Sequence, residues 1–74
     1  MTVTVKLYSS LQQGRFQEEQ RDYAVPVTVA QAAVQLNIKL DELGMVLING
    51  RAVTLDHKLE EGDILSLFPL IGGG

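Results

Sequence analysis

Only one segment of this chain carries a helical period, and it stands between segments whose apolar residues alternate. Thr28-Val29-Ala30-Gln31 has the capping-box form, in which the Thr28 hydroxyl accepts from the third helical amide while Gln31 reaches back to the Thr28 amide. Val29, Ala32, Ala33 and Leu36 follow at i, i+3, i+4 and i+7 in one apolar stripe, and Asn37 suits a left-handed stop. The spacing predicts a helix of about two and a half turns. A chain of 74 residues fits one small domain, in which folding buries about 60% of the surface that the unfolded chain exposes.

Thr2 to Tyr8 alternates, with Val3, Val5 and Leu7 on one face and Thr2, Thr4, Lys6 and Tyr8 on the other, which predicts a strand with one face buried. Ser9 to Gly14 reads as a turn region. Phe16 to Val25, carrying Phe16, Tyr23 and Val25 amid charge, predicts a second strand ended by Pro26. Beyond the helix, Leu40, Leu43 and Gly44 form a tight connection into Met45-Val46-Leu47-Ile48, and Asn49-Gly50 before Arg51-Ala52-Val53 is the strongest hairpin signal in the chain. Leu55 to Leu59 reads as turn-rich and Glu61-Gly62-Asp63 as a tight turn. Ile64 to Phe68 reads as a last strand with Leu65 and Leu67 on one face. Strands before and after a single helix imply an α+β fold, a mixed sheet with the helix packed on one face. Hairpin, helix, hairpin and final strand is the element order of the β-grasp. Residues 1–69 are expected to form this domain and residues 70–74 a flexible, glycine-terminated tail.

Composition narrows the chemistry. The chain has no cysteine, which excludes a disulfide framework, a thiolate zinc site, an iron–sulfur cluster and a thiol nucleophile. Any reactive sulfur has to come from outside. A net charge of −3, with only six Lys and Arg scattered along the chain, speaks against nucleic acid, whose phosphates need clustered cations. The longest uninterrupted apolar run is Met45 to Ile48, far short of the roughly 20 residues that span a bilayer. The first residues lack a basic segment followed by an apolar one, so neither a membrane partner nor a secretory leader is expected, and a cytoplasmic location is.

Lys6-Leu7-Tyr8-Ser9-Ser10-Leu11, Val46-Leu47-Ile48-Asn49-Gly50-Arg51-Ala52-Val53, Glu61-Gly62-Asp63 and Leu67-Phe68-Pro69-Leu70-Ile71-Gly72-Gly73-Gly74 together give the chain its one family resemblance. It resembles the MoaD/ThiS family of ubiquitin-like, β-grasp sulfur carriers, and the resemblance runs essentially its whole length. The Phe-Pro-aliphatic stretch before the terminal glycines is closest to the MoaD branch, the small subunit of molybdopterin synthase; Leu70 and Ile71 stand where that branch often has proline and valine.

The resemblance implies that an E1-like adenylating enzyme of the MoeB/ThiF type activates the Gly74 carboxylate with ATP. Persulfide sulfur, from a donor such as a cysteine desulfurase system, then converts the adenylate to a thiocarboxylate. The recipient it implies is the large subunit of molybdopterin synthase (MoaE type), serving a molybdenum or tungsten cofactor, or else thiazole synthase in a thiamine-type pathway. The chain itself is expected to bind no cofactor or metal and to act as a carrier rather than an enzyme. Gly72 and Gly73 lack a Cβ and suit a narrow channel, Leu70 to Gly74 reach roughly 17 Å when extended, and this chemistry requires Gly74 to be the true terminus. By strand parity Tyr8 and Phe68 share the open side of the sheet near the tail. Leu47, Pro69, Leu70 and Ile71 complete the expected partner-docking set, with Lys6 and Arg51 as accessory cations.

Other polar signals read as ordinary surface. His57 stands alone, without the partners of a metal site or triad. Asp56, Glu60, Glu61 and Asp63 read as a solvated acidic edge, and Glu18, Glu19 and Asp22 with Arg15 and Arg21 as a mixed-charge patch on a loop or edge strand. Two other classes remain open: a ubiquitin-like modifier joined to lysines through Gly74, and a β-grasp interaction module with an idle tail.

Overall fold

The computed structural model describes residues 1–71. Strands β1 (Thr2–Leu7), β2 (Glu18–Asp22), β3 (Leu43–Ile48), β4 (Arg51–Ala52) and β5 (Ile64–Pro69) and helix α1 (Val29–Gln35) build it. The strands form one mixed sheet in the spatial order β2-β1-β5-β3-β4. β1 and β5 are parallel, with Leu7 opposite Leu67; the other pairs are antiparallel.

The alternation read from the sequence is what the sheet uses. Val3, Val5, Leu7, Leu65 and Leu67 are each at most 1% exposed and join Val46, Ile48 and the α1 residues Val29, Ala32 and Ala33 in a single core. Each large aliphatic side chain buried in this way contributes roughly 1.5–3 kcal/mol relative to exposure. The capping box forms: Thr28 Oγ1 accepts from the Gln31 amide at 3.2 Å, and Gln31 Oε1 accepts from the Thr28 amide at 2.9 Å. Leu36 caps the helix and is buried with its stripe, and Asn37 takes the left-handed conformation, φ 62°. Asn49 and Gly50, at φ 51° and 82°, have the paired positive φ that a tight β3–β4 hairpin needs.

The structure departs from the sequence reading at several places. β3 begins at Leu43, so Leu43 and Gly44 belong to the strand rather than to a connection before it. β2 spans only Glu18–Asp22 rather than Phe16 to Val25. Phe16 packs half-buried against the core, Tyr23 turns inward to 4% exposure, and Val25 stands 66% exposed before Pro26. The pure alternation of a strand is absent there, and an edge strand gains nothing by extending past its partner β1. Arg15 is no member of a solvated charge patch: its guanidinium and Nε donate to the carbonyls of Leu11, Leu36 and Asn37 at 3.1, 3.0 and 2.8 Å, tying the first loop to the end of α1. Asp63 is buried rather than solvated. Its carboxylate accepts from Asn49 Nδ2 at 3.1 Å and from the Glu60 amide at 2.8 Å, while Asn49 Oδ1 accepts from the Ile64 amide at 2.9 Å. A carboxylate becomes tolerable at such depth when hydrogen bonds replace its water.

Candidate interaction face and tail root

The helix occupies one face of the sheet, and the residues of opposite parity line the other. Tyr8, one residue past β1, and Phe68, in β5, meet there as stacked rings with centroids 4.2 Å apart and planes 9° from parallel. Parallel pairing of β1 with β5 brings them together: Leu7 is opposite Leu67, and the Tyr8 amide donates to the Leu67 carbonyl at 3.2 Å. Both rings are half-buried, so each keeps an open surface beside its partner.

The parity of Leu47, ambiguous in a continuous apolar run, is settled by its neighbours. Val46 and Ile48 are buried in the core while Leu47 is half-buried, and Leu47 lies opposite Ser66 on β5, which lies opposite Lys6 on β1. Lys6 in turn faces Glu18 across the next pair, with Nζ 3.9 Å from a Glu18 carboxylate oxygen. One row across the open face therefore reads Glu18, Lys6, Ser66, Leu47, Ala52. Met45 shares the parity of Leu47 and is 51% exposed; sequence reasoning left it out, although its i, i+2 spacing from Leu47 was a usable signal. Arg51 pairs with Ile48 and so takes the parity of the core face, lining a groove with His57, Glu60 and Asp63 instead.

The tail root sits at the same end as the aromatic pair. Pro69 is opposite Leu43, and the Leu70 amide donates to the Glu42 carbonyl at 2.7 Å. The side chains of Leu70 and Ile71 are 64% and 83% exposed, which extends the apolar surface beyond the rings. Gly72, Gly73 and Gly74 lie outside the described residues. Beside the tail root a groove of about 490 Å³ is lined by Ser10, Arg15, Asp41, Glu42, Pro69 and Leu70 among others.

The two titratable groups with displaced pKa values lie elsewhere. Burial raises the Tyr23 phenol above its ordinary value, and the nearby Arg21 charge offsets this only in part; the hydroxyl has no hydrogen-bond partner among the described residues. The Thr54 hydroxyl donates to the Asp56 carboxylate and lowers its pKa. No group of three or more His, Cys, Asp and Glu among the described residues is arranged to hold a metal ion, and no described helix is long and apolar enough to cross a membrane. The open face thus combines a stacked aromatic pair, exposed aliphatic side chains and the Lys6–Glu18 pair, with the tail root at one end.

Comparison with known proteins places this fold in a family. The sequence model of the ThiS family matches residues 5–74. No curated protein sequence matches the chain. Among solved structures, the small archaeal modifier protein SAMP1 of Haloferax volcanii is 27% identical over 100% of both chains, with a TM-score of 0.75. A putative molybdopterin converting factor subunit 1 from Pyrococcus furiosus is 22% identical over 96% of this chain and 99% of its own, TM-score 0.77. A chain of the Helicobacter pylori complex of molybdopterin-converting factor subunits 1 and 2 is 20% identical over 100% of both, TM-score 0.67. These resemblances establish the ubiquitin-like β-grasp fold.

Proposed function

Because the chain belongs to the ThiS family, within the ubiquitin-like sulfur carriers and modifiers, we propose that it carries sulfur as a thiocarboxylate on Gly74. The single observation behind this reading is that the family match runs over residues 5–74, taking in body and tail together. In this reading Gly72 and Gly73 thread into a partner's active site. Tyr8, Leu47 and Phe68, with Pro69, Leu70 and Ile71 at the tail root, form the docking surface. Lys6 is an accessory cation on that face, and Arg51 serves from the other side of the sheet.

The chemistry divides between carrier and partner. On an E1-like enzyme of the MoeB/ThiF type, a Gly74 carboxylate oxygen attacks the α-phosphorus of ATP and pyrophosphate leaves. The terminal sulfur of a persulfide, supplied by a cysteine desulfurase system, attacks the acyl carbon and AMP leaves. A thiol then attacks the far sulfur of the resulting acyl disulfide, forming a new disulfide and releasing the thiocarboxylate. The carrier contributes no proton transfer to these steps; it delivers the reacting carbon, and a partner that grips the body converts the encounter into an intramolecular one. With the rings and the tail root at one end of the sheet, a single docking event suffices.

The recipient we assign is a molybdopterin synthase large subunit of the MoaE type, serving molybdenum or tungsten, in the cytoplasm. The Phe68-Pro69-aliphatic stretch before the glycines, closer to the MoaD branch, favours this choice over thiazole synthase. The test is intact mass spectrometry after incubation with an E1-like enzyme, ATP and a sulfur donor. Replacement of one oxygen by sulfur, mapped to Gly74, is expected; an unchanged mass with every cognate activator would sink the reading. A second reading, a protein modifier, draws on the 27% identity to SAMP1 over the full chain. It uses the same activation and ends in an isopeptide bond, so lysine-linked conjugates of the tagged chain in cell extract would favour it.

A further inference from the structure

The start of β3 and the tail root come unusually close at Gly44. A Cβ on Gly44 would lie 2.7 Å from the Pro69 carbonyl oxygen and 3.1 Å from both the Pro69 carbonyl carbon and Leu70 Cα. All three are backbone atoms, so no flexible side chain could move aside for it. The ladder between β3 and β5 shifts register between Leu43 and Val46, and this irregularity lets the segment carrying Gly44 follow the departing chain. The Leu70 amide bond to the Glu42 carbonyl, 2.7 Å long, is the last backbone hydrogen bond on the path to the tail among the described residues.

Holding Leu70 in place costs conformational entropy, and its side chain, 64% exposed, buries little apolar surface in return. The close approach at Gly44 and the amide bond hold it. We propose that Gly44 is a positioning residue for the chemistry at Gly74. By lacking a side chain it lets Pro69 and Leu70 lie flat on β3, so that the tail departs from Ile71 in one direction relative to the Tyr8–Phe68 pair. The free reach to Gly74 is then four residues, roughly 14 Å, one residue less than the whole 70–74 segment. This inference rests on the carrier reading above and adds what aims the tail.

The experiment compares the wild-type chain with Gly44→Ala as substrates of the E1-like enzyme, following ATP-dependent pyrophosphate release, with hydrogen exchange of the Leu70 amide read in parallel. Most of the docking surface, Tyr8, Leu47 and Phe68, lies outside the clamp, so releasing the clamp costs aim more than grip. Gly44→Ala is therefore expected to expose the Leu70 amide and lower kcat by roughly tenfold or more, with KM little changed. A substitution that merely lowers the folded fraction acts oppositely, raising apparent KM and sparing kcat, and that result counts against the proposal. So does a kcat within about twofold of wild type in a folded chain whose Leu70 amide has lost protection.

Should Gly44→Ala fail to fold, Leu70→Pro and Leu70→Ala replace it. Both remove the leucine side chain, while the first alone removes the amide donor and also fixes φ, so equal kcat values overturn the clamp, and a lower kcat for Leu70→Pro supports it when the two variants share one KM. Wild-type chain that no activator accepts refutes the carrier reading instead. Leu70 exchange in the wild type against Gly44→Ala still decides then whether Gly44 holds the tail root.

Discussion

At the end of the sheet where β1 and β5 begin, polar groups close on one another; at the end where those strands finish, apolar groups stand open. The first end joins the Asn49-Gly50 and Glu61-Gly62-Asp63 turns through Asp63 and Asn49. The Gly62 amide donates to the Thr2 carbonyl at 2.8 Å, and a Glu61 carboxylate oxygen accepts from the Thr2 amide at 3.0 Å. The second end carries the stacked rings, Leu70 and Ile71, held in place by backbone bonds. Where side-chain polar groups are used up on each other, little is left over for a partner. Where backbone bonds hold Tyr8 and Leu70, the apolar side chains of the rings, Leu70 and Ile71 stay available.

The largest expected effect breaks the closed end. Asp63→Ala leaves the Asn49 amide and the Glu60 amide without their acceptor, and a loss of about 2–3 kcal/mol of stability is expected in urea titration, with kcat for activation unchanged in the folded protein. A loss under about 0.5 kcal/mol would mean that water replaces the carboxylate without penalty. Phe68→Ala works at the open end. Stability should fall by about 2 kcal/mol, the aromatic pair together with the buried half of the ring, while kcat/KM with the activating enzyme drops roughly a hundredfold or more if the ring is a docking anchor. Equal losses in both measurements would make the pair a small second core.

The Tyr23 phenol tests whether the closed end has a flaw. Its pKa is raised by burial, so between the ordinary value near 10 and the higher folded value the native state keeps a proton that the unfolded state has lost. Stability is therefore full below the ordinary value and declines as pH rises through the folded one. Tyr23→Phe should remove that decline while changing little at neutral pH, because the hydroxyl has no partner among the described residues to lose. Melting temperatures of the two proteins that fall in parallel at alkaline pH would contradict it. Lys6→Ala should have the smallest effect, about 0.5 kcal/mol of stability or less, since its pair with Glu18 is long and largely solvated. A several-fold loss of activation in that variant would extend the docking surface along the row toward Leu47.

How much of this could be read in advance depended on how local each signal was. The Thr28–Gln31 box, the Asn49-Gly50 turn and the alternation around Val5 and Leu65 are set by neighbours in sequence, and they appear where expected. The parity that put Tyr8 and Phe68 on one face needed only the two-residue period; their stacking needed the parallel pairing of β1 with β5, which joins residues far apart in the chain. Arg15 and Asp63 looked like surface charge because their carbonyl and amide partners come from distant segments. Gly44 looked like a turn residue, and only the path of Pro69 across it reveals the crowding. The terminal glycines were the clearest functional signal in the sequence, while the crowding at the tail root joins Gly44 and Pro69, far apart in the chain.

The place of β5 has a consequence for how the chain comes into being. It is the last strand in sequence among those described but lies between β1 and β3 in the sheet. A nascent chain that has not yet released Ile64 to Pro69 from the ribosome has two half-sheets with unpaired inner edges, and Tyr8 has no ring to stack on. The stacked pair of Tyr8 and Phe68 therefore cannot form until β5 has been made and has entered the sheet. A product cut short before Ile64 would leave β1 and β3 with no strand between them and both inner edges open to pairing with other chains.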